Sequence, residues 1–186
     1  TLFPYTTLFR SEAEISRDGV IGGENMDFWK ETTPFHGADV SEYLHNLLFM
    51  PDALLIGRST FEFFAQVWPT RDGEDADRIN SMPKYVASRT LKDPLAWNGI
   101  LIKGNTAEEI KKLKQEPGKG LVQYGVGELT DTMLKNQLVD EFRILMYPFT
   151  FGEGLRIFEQ MGVNRLKLVE TKTFKSGVVA LHYEPQ

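Results

Sequence analysis

Three short segments of this chain carry residue types suited to gripping phosphate. Gly57-Arg58-Ser59-Thr60 follows the apolar run Ala53 to Ile56 and leads into Phe61-Glu62-Phe63-Phe64, which reads as helix. A strand–glycine–helix junction exposes free backbone N–H groups and the positive end of the helix dipole, and anions bind well there. Arg58 adds charge, and Ser59 or Thr60 can cap the helix or donate to a phosphate oxygen. Ser88-Arg89-Thr90 follows a second apolar run ending near Ala87. A hydroxyl beside a guanidinium suits a phosphomonoester, because arginine offers a bidentate, charge-assisted fork. Gly125-Val126-Gly127-Glu128-Leu129 follows a third run ending at Tyr124. Two glycines let backbone approach a pyrophosphate closely where a helix begins. Taken singly, each segment also reads as something plainer: a capped turn, a surface arginine, a tight turn needing positive φ. None is a full Rossmann fingerprint, and no P-loop lysine pattern is present.

Other chemistry-bearing residues are fewer. Asp18, before Gly19, is either a carboxylate that orients substrate or relays a proton, or a turn residue, since Asp-Gly is a common turn pair. Phe61, Phe63, Phe64 and Trp68 either line a flat pocket for a heteroaromatic ring or belong to the core, as aromatics at helical spacing usually do. Tyr147 and Phe151 carry the same two readings, and Pro148 between them marks an edge strand or bulge near the site. His36, His45 and His182 lack paired ligand spacing, so no metal is expected. No nucleophile–base–orienter set points to hydrolysis.

The elements that must position these residues alternate along the chain. Ala53 to Ile56, Tyr85 to Ala87, Ile100 to Ile102 and Leu121 to Tyr124 are short and largely apolar, as buried strands are. Val40 to Phe49 places Tyr43, Leu44, Leu47 and Leu48 on one helical face. Thr106 to Gln115 reads as a helix opened by a Thr106–Glu109 capping box and ended by Pro117-Gly118. Glu128 to Asn136 is a further helix, turning Leu129, Met133 and Leu134 inward. Strands alternating with helices imply βαβ units and a largely parallel sheet. The three junctions then share the carboxyl end of that sheet, where open α/β sheets bind ligands, and together they point to a dinucleotide. Val139 to Phe151, Leu166 to Phe174 and Val178 to Tyr183 instead alternate apolar and polar residues, and Lys175-Ser176-Gly177 reads as a hairpin connection. An antiparallel edge is therefore expected, with Pro69 to Asp77 as a polar surface loop.

The chain's 186 residues suit one domain, and 41% hydrophobic with 25% charged residues is the balance of a globule able to bury a core. No cysteine is present, which excludes disulfides, zinc–thiolate sites and cysteine nucleophiles and fits a cytoplasmic protein. The net charge is −5 and no basic stripe is visible, so nucleic acid is not an expected partner. No apolar run approaches a membrane span. Residues 1 to 11 resemble the in-frame translation of a common short-read sequencing adapter, without the basic and long apolar regions of a signal peptide. The implication is a metagenomic assembly artefact in which native residues are replaced, and Leu8 to Arg10 are expected to be recruited as the start of the first strand.

Read in order, several segments together form a specific signature. They are Ser16-Arg17-Asp18-Gly19-Val20-Ile21, Asp52 to Thr60, Pro83 to Leu91, Gly125 to Leu129, Leu138 to Phe142, Pro148, Gly152-Glu153-Gly154 and Phe158. Their order and spacing, from about Glu12 to the C-terminus, resemble the dihydrofolate-reductase-like proteins, in the branch of the C-terminal reductase domain of the bacterial riboflavin-biosynthesis enzyme. The resemblance implies a three-layer α/β fold with a mixed, mostly parallel sheet of about eight strands, a C-terminal antiparallel hairpin, and NADPH as cofactor. On the family pattern Gly57 to Thr60 and Gly125 to Leu129 hold the pyrophosphate region. Ser88 and Arg89, with Thr90 beside them, meet the 2′-phosphate. Asp18 and Gly19 open the loop that closes over nicotinamide and substrate.

The chain also departs from that pattern. The folate enzyme's helical acid falls near Ser41, and Glu42, a candidate replacement, is one residue on, a rotation of about 100°. Dihydrofolate is therefore disfavoured as the natural substrate. The bifunctional riboflavin enzyme carries a zinc deaminase domain that needs cysteines, and this chain has none. The implied activity is hydride transfer from NADPH to a C=N or C=O of a small pteridine- or pyrimidine-like substrate, as in dihydrofolate reductase or 5-amino-6-(5-phosphoribosylamino)uracil reductase. The alternatives are a genuine dihydrofolate reductase and a non-catalytic NADPH-binding protein. A homodimer is an expectation from family analogy alone.

Overall fold

A computed structural model describes residues 7–22, 26–118, 120–159 and 161–186. Its strands are β1 (Leu8–Ser16), β2 (Ala53–Gly57), β3 (Lys84–Ala87), β4 (Gly99–Leu101), β5 (Gly120–Tyr124), β6 (Glu141–Tyr147), β7 (Leu166–Thr173) and β8 (Val179–Pro185). The helices are α1 (Met26–Thr32), α2 (Ala38–Leu48), α3 (Arg58–Val67), α4 (Glu74–Ser81), α5 (Thr106–Leu113) and α6 (Glu128–Lys135). The strands form one sheet in the order β4-β3-β2-β5-β1-β6-β8-β7. The first six in that order pair in parallel, and β8 pairs antiparallel with both β6 and β7. The fold is dihydrofolate-reductase-like, a three-layer arrangement in which the sheet ends in an antiparallel edge.

The order of the strands locates the site. From β1 the chain runs over to β2, β3 and β4, returns to insert β5 between β2 and β1, then crosses β1 to form β6. The connections leaving β5 and β1 therefore run in opposite directions. Such a switch point opens a crevice beyond the carboxyl ends of the two strands.

The core has an uneven distribution. On one face Phe9, Ala13 and Ile15 of β1 pack with Ile110 of α5 and Met133 of α6. The other face carries two separate apolar clusters. One gathers Leu54, Ile56 and Val122 with Phe61 and Ile79. The second gathers Leu145, Tyr147 and Ala180 with Val40 of α2. Alternate side chains of a strand share a face, so Arg10, Glu12, Glu14 and Ser16 of β1 form a polar stripe opposite Phe9, Ala13 and Ile15. Arg10 and Glu12 are buried there as an ion pair, with Arg10 Nη2 also donating to the Leu47 carbonyl at 2.6 Å.

Several expectations need correction. The segment Pro69 to Asp77 is not all loop, because α4 starts at Glu74. Glu74, Asp75 and Asp77 complement the helix dipole in its first turn, and Ala76 and Ile79 are buried. The cap of α5 is Asn105 rather than Thr106, its side chain accepting from Glu108 N at 3.2 Å, and the helix stops at Leu113. Helix α1 had no counterpart in the sequence reading. Leu8 to Arg10 do open β1, with Phe9 fully buried beside Leu121, while residues 1–6 of the adapter-like segment lie outside the described residues.

Candidate active site

The three glycine and arginine junctions stand side by side at the carboxyl ends of β2, β3 and β5. Gly57 is the N-cap of α3, and no side chain caps that helix. Gly125 has φ +86°, a conformation that disfavours any side chain, and Gly127 is the N-cap of α6. A Cβ placed on Gly57, Gly125 or Gly127 would meet no atom within 4 Å, so all three glycines face open space that a bound group can enter. Side chains stitch the junctions together. Arg58 Nη1 donates to Thr90 Oγ1 at 3.1 Å, joining the first to the second. Arg89 Nη2 donates to Glu128 Oε1 at 3.0 Å, joining the second to the third. Ser88 Oγ accepts from the backbone N of Thr90 and Leu91, which sets the turn.

These junctions line one cavity of about 1480 Å³. A small-molecule pocket spans roughly 300–1,000 Å³, so there is room for a dinucleotide and a second small molecule. Phe63, Phe64 and Trp68 of α3 and its extension form part of the wall, with Phe64 and Trp68 edge-to-face at 6.0 Å. Trp29 of α1 and Ser41 and Leu44 of α2 also line it. The fit to a phosphate-bearing dinucleotide is good: unfilled space over glycines, two uncrowded arginines and two helix N-termini meet at one edge.

The polar stripe of β1 contributes Glu12 and Glu14 to the cavity lining, with Tyr124 of β5 and Arg143 of β6 nearby. Glu14 Oε2 accepts from Tyr147 Oη at 2.5 Å, and Tyr147 Oη in turn lies 2.8 Å from His36 Nε2. Burial pushes the Glu14 carboxyl up to about 7, against the opposing hydrogen bond from Tyr147 and with a smaller push from Glu12. Glu12 is also raised by burial, although its ion pair with Arg10 works the other way. Tyr147 is raised as well, by burial and by the neighbouring Glu14, so it stays a phenol.

The sequence candidates divide. Gly57, Arg58, Ser59, Thr60, Ser88, Arg89, Thr90 and the run Gly125 to Leu129 all line the cavity, as do Phe64 and Trp68. Phe61 is core instead. Asp18 is not part of the lining. Its carboxylate accepts from Ser16 Oγ at 2.5 Å and from the backbone N of Phe151 and Gly152 at 2.9 Å each. The Ser16 hydroxyl, then those two N–H groups, hold it far below the usual carboxylate range. A carboxylate so committed staples the Asp18–Gly19 turn to the loop after β6 and is a poor proton donor. Glu42 is exposed and off the cavity wall, where the helical rotation from Ser41 carries it. Tyr147 is fully buried behind the lining, and Phe151 packs on Phe28. His45 pairs with Asp75 and His182 with Glu141. Glu14 was missed from sequence. Its signal was a carboxylate at an alternate position of the strand that leads into the Asp-Gly turn.

The family model of the RibD C-terminal domain matches residues 9–180. The uncharacterized protein YyaP of Bacillus subtilis (strain 168) is 35% identical over 176 residues, covering 91% of this chain and 90% of its own. A putative riboflavin biosynthesis protein from Shewanella sp. PV-4 superposes with a TM-score of 0.76 at 21% identity, over 97% of this chain and 99% of that one. Dihydrofolate reductase from Enterococcus faecalis, complexed with NADP(H) and RAB-propyl, superposes with a TM-score of 0.61 at 17% identity over 98% of both chains. At these identities the two structural likenesses speak for the fold.

Proposed function

The chain belongs to the RibD C-terminal domain family, and from that premise we propose that it is an NADPH-dependent reductase of a small heterocyclic C=N or C=O. The observation that carries this reading is the meeting of three anion-gripping junctions along one cavity at the switch point of the sheet. Gly57 to Thr60 and Gly125 to Leu129 would hold the pyrophosphate, and Ser88 and Arg89 the 2′-phosphate. When bound, the reduced nicotinamide supplies the hydride. The chain's own part is to bind and orient the two reactants and to exclude water. The wall of Trp29, Phe63, Phe64 and Trp68 suits a flat ring, which argues for a pteridine- or pyrimidine-like acceptor.

The test is NADPH consumption, followed by absorbance, with dihydropterin and 5-amino-6-(5-phosphoribosylamino)uracil as acceptors. Acceptor-dependent oxidation is the expected result. Tight NADPH binding with no oxidation by any heterocyclic acceptor would turn the reading into that of a cofactor-binding protein.

A further inference from the structure

Hydride transfer to C=N or C=O leaves the heteroatom in need of a proton, and neither sequence candidate is placed to give one. Asp18 is committed to the turn it staples, and Glu42 lies off the cavity wall. The geometry points to Glu14 as the residue that protonates the substrate, recharged from solvent through Tyr147 and His36. This inference rests on the reductase reading of the same cavity.

Three observations carry it. Glu14 lines the cavity beside the β5–β1 crevice, where a reacting ring would sit beyond the strand ends. Tyr147 Oη donates to Glu14 Oε2 at 2.5 Å, which leaves Oε1 to bear the acidic proton. Because the Tyr147 hydroxyl hydrogen is spent on Glu14, the 2.8 Å contact with His36 requires His36 Nε2–H to donate to Tyr147 Oη. The hydrogen bonds therefore run in one direction, from His36, which is exposed and itself on the cavity lining, through the fully buried Tyr147 phenol to Glu14 in the same cavity.

The step balances. Glu14 gives its proton to the substrate nitrogen or oxygen as the adjoining carbon takes the hydride, and the cofactor is left oxidised. Tyr147 then passes its proton to Glu14 Oε2 while taking one from His36 Nε2, as His36 takes a proton from water at Nδ1; rotation of the carboxyl and the hydroxyl and a tautomer exchange of His36 through water restore the starting arrangement. A free tyrosinate does not form, since burial and Glu14 both disfavour it. The other groups facing Glu14 are Glu12 on its own strand, held by Arg10, and Tyr124 of β5, with Arg143 of β6 paired to Glu141. Burial and Glu12 both favour the neutral acid, and its rise to about 7 keeps a proton available near neutrality.

The test uses protein carrying ¹³C-carboxyl glutamate, titrated by NMR, together with pH–rate profiles of NADPH oxidation with the two acceptors named above. One carboxyl should titrate near 7 and vanish in Glu14→Gln. In Tyr147→Phe it should titrate higher, because a donor to the carboxylate has been removed, and the fall of rate on the alkaline side should move up with it. Glu14→Gln should slow oxidation by about 10²–10⁴-fold and flatten that limb, as loss of a general acid does, while keeping the parent's NADPH affinity. A Glu14 carboxyl titrating in the ordinary glutamate range, or an unaltered rate and profile in Glu14→Gln, would overturn the proposal. Failure of the reductase reading looks different, because the parent itself would then oxidise NADPH with neither acceptor, whether or not it binds the cofactor.

Discussion

Arg89 and Glu128 hold each other at 3.0 Å while their side chains remain 88% and 81% exposed. An exposed pair of this kind contributes about 0–1 kcal/mol, whereas a hydrogen bond to a charged group contributes about 1.5–3 kcal/mol. A 2′-phosphate should therefore displace Glu128 from Arg89. Arg89→Ala is expected to weaken NADPH binding roughly tenfold to hundredfold and to leave NADH binding nearly unchanged. Arg58→Ala should weaken both, because its partner would be the pyrophosphate common to the two, and Glu128→Gln should tighten NADPH slightly. Fluorescence titration of each variant with both cofactors checks this, and equal losses in Arg89→Ala would remove Arg89 from the phosphate site. Asp18 makes the opposite kind of prediction. Two of its three hydrogen bonds tie the turn after β1 to Phe151 and Gly152 and the third holds it to Ser16, so Asp18→Ala should lower the melting temperature with little effect on NADPH affinity. A variant that melts like the parent but no longer binds NADPH would show that Asp18 acts on the cofactor.

Strand β1 shows where local reasoning succeeds and where it stops. It lies between β5 and β6 in the middle of the sheet, yet its stripe of Arg10, Glu12, Glu14 and Ser16 is the pattern of a strand with one face in water. Replacing a buried ion pair by apolar side chains is often neutral or stabilising by about 1–4 kcal/mol. The double variant Arg10→Leu/Glu12→Leu should therefore melt higher than the parent, and a lower melting temperature would mean that the pair organises β1. The Leu47 carbonyl would keep its bond from Met50 N. Strands β2, β3 and β5 were legible to within a residue, because uninterrupted apolar runs bounded by glycine or a hydroxyl have few other readings. The strand-end positions of the three glycine and arginine junctions were legible for the same reason, being local in sequence. Glu14 was not, since its meaning depends on Tyr147 and His36, which only the folded chain brings to it. Helix α4 escaped notice because its apolar face is just Ala76 and Ile79.

For the whole molecule, the sheet gathers the candidate site residues into one cavity at the carboxyl ends of its central strands. From α2 the cavity takes Ser41, Leu44 and Leu48 but no acid; its carboxyls are Glu12 and Glu14 of β1, Asp75 of α4 and Glu128 of α6. Dihydrofolate should accordingly be a poor acceptor, and efficient turnover with it would show that Glu14 or Glu12 substitutes for a helical acid. The chain was expected to be a homodimer on family analogy, and sedimentation as a strict monomer would remove that expectation. Whether the cavity takes NADPH is decided by calorimetric titration of the parent protein with NADPH and with NADH. Saturable binding of one NADPH per chain is expected, with NADH weaker by roughly tenfold to hundredfold, the share of affinity a guanidinium–phosphate pair supplies. No NADPH binding, or equal affinity for the two dinucleotides, would contradict it.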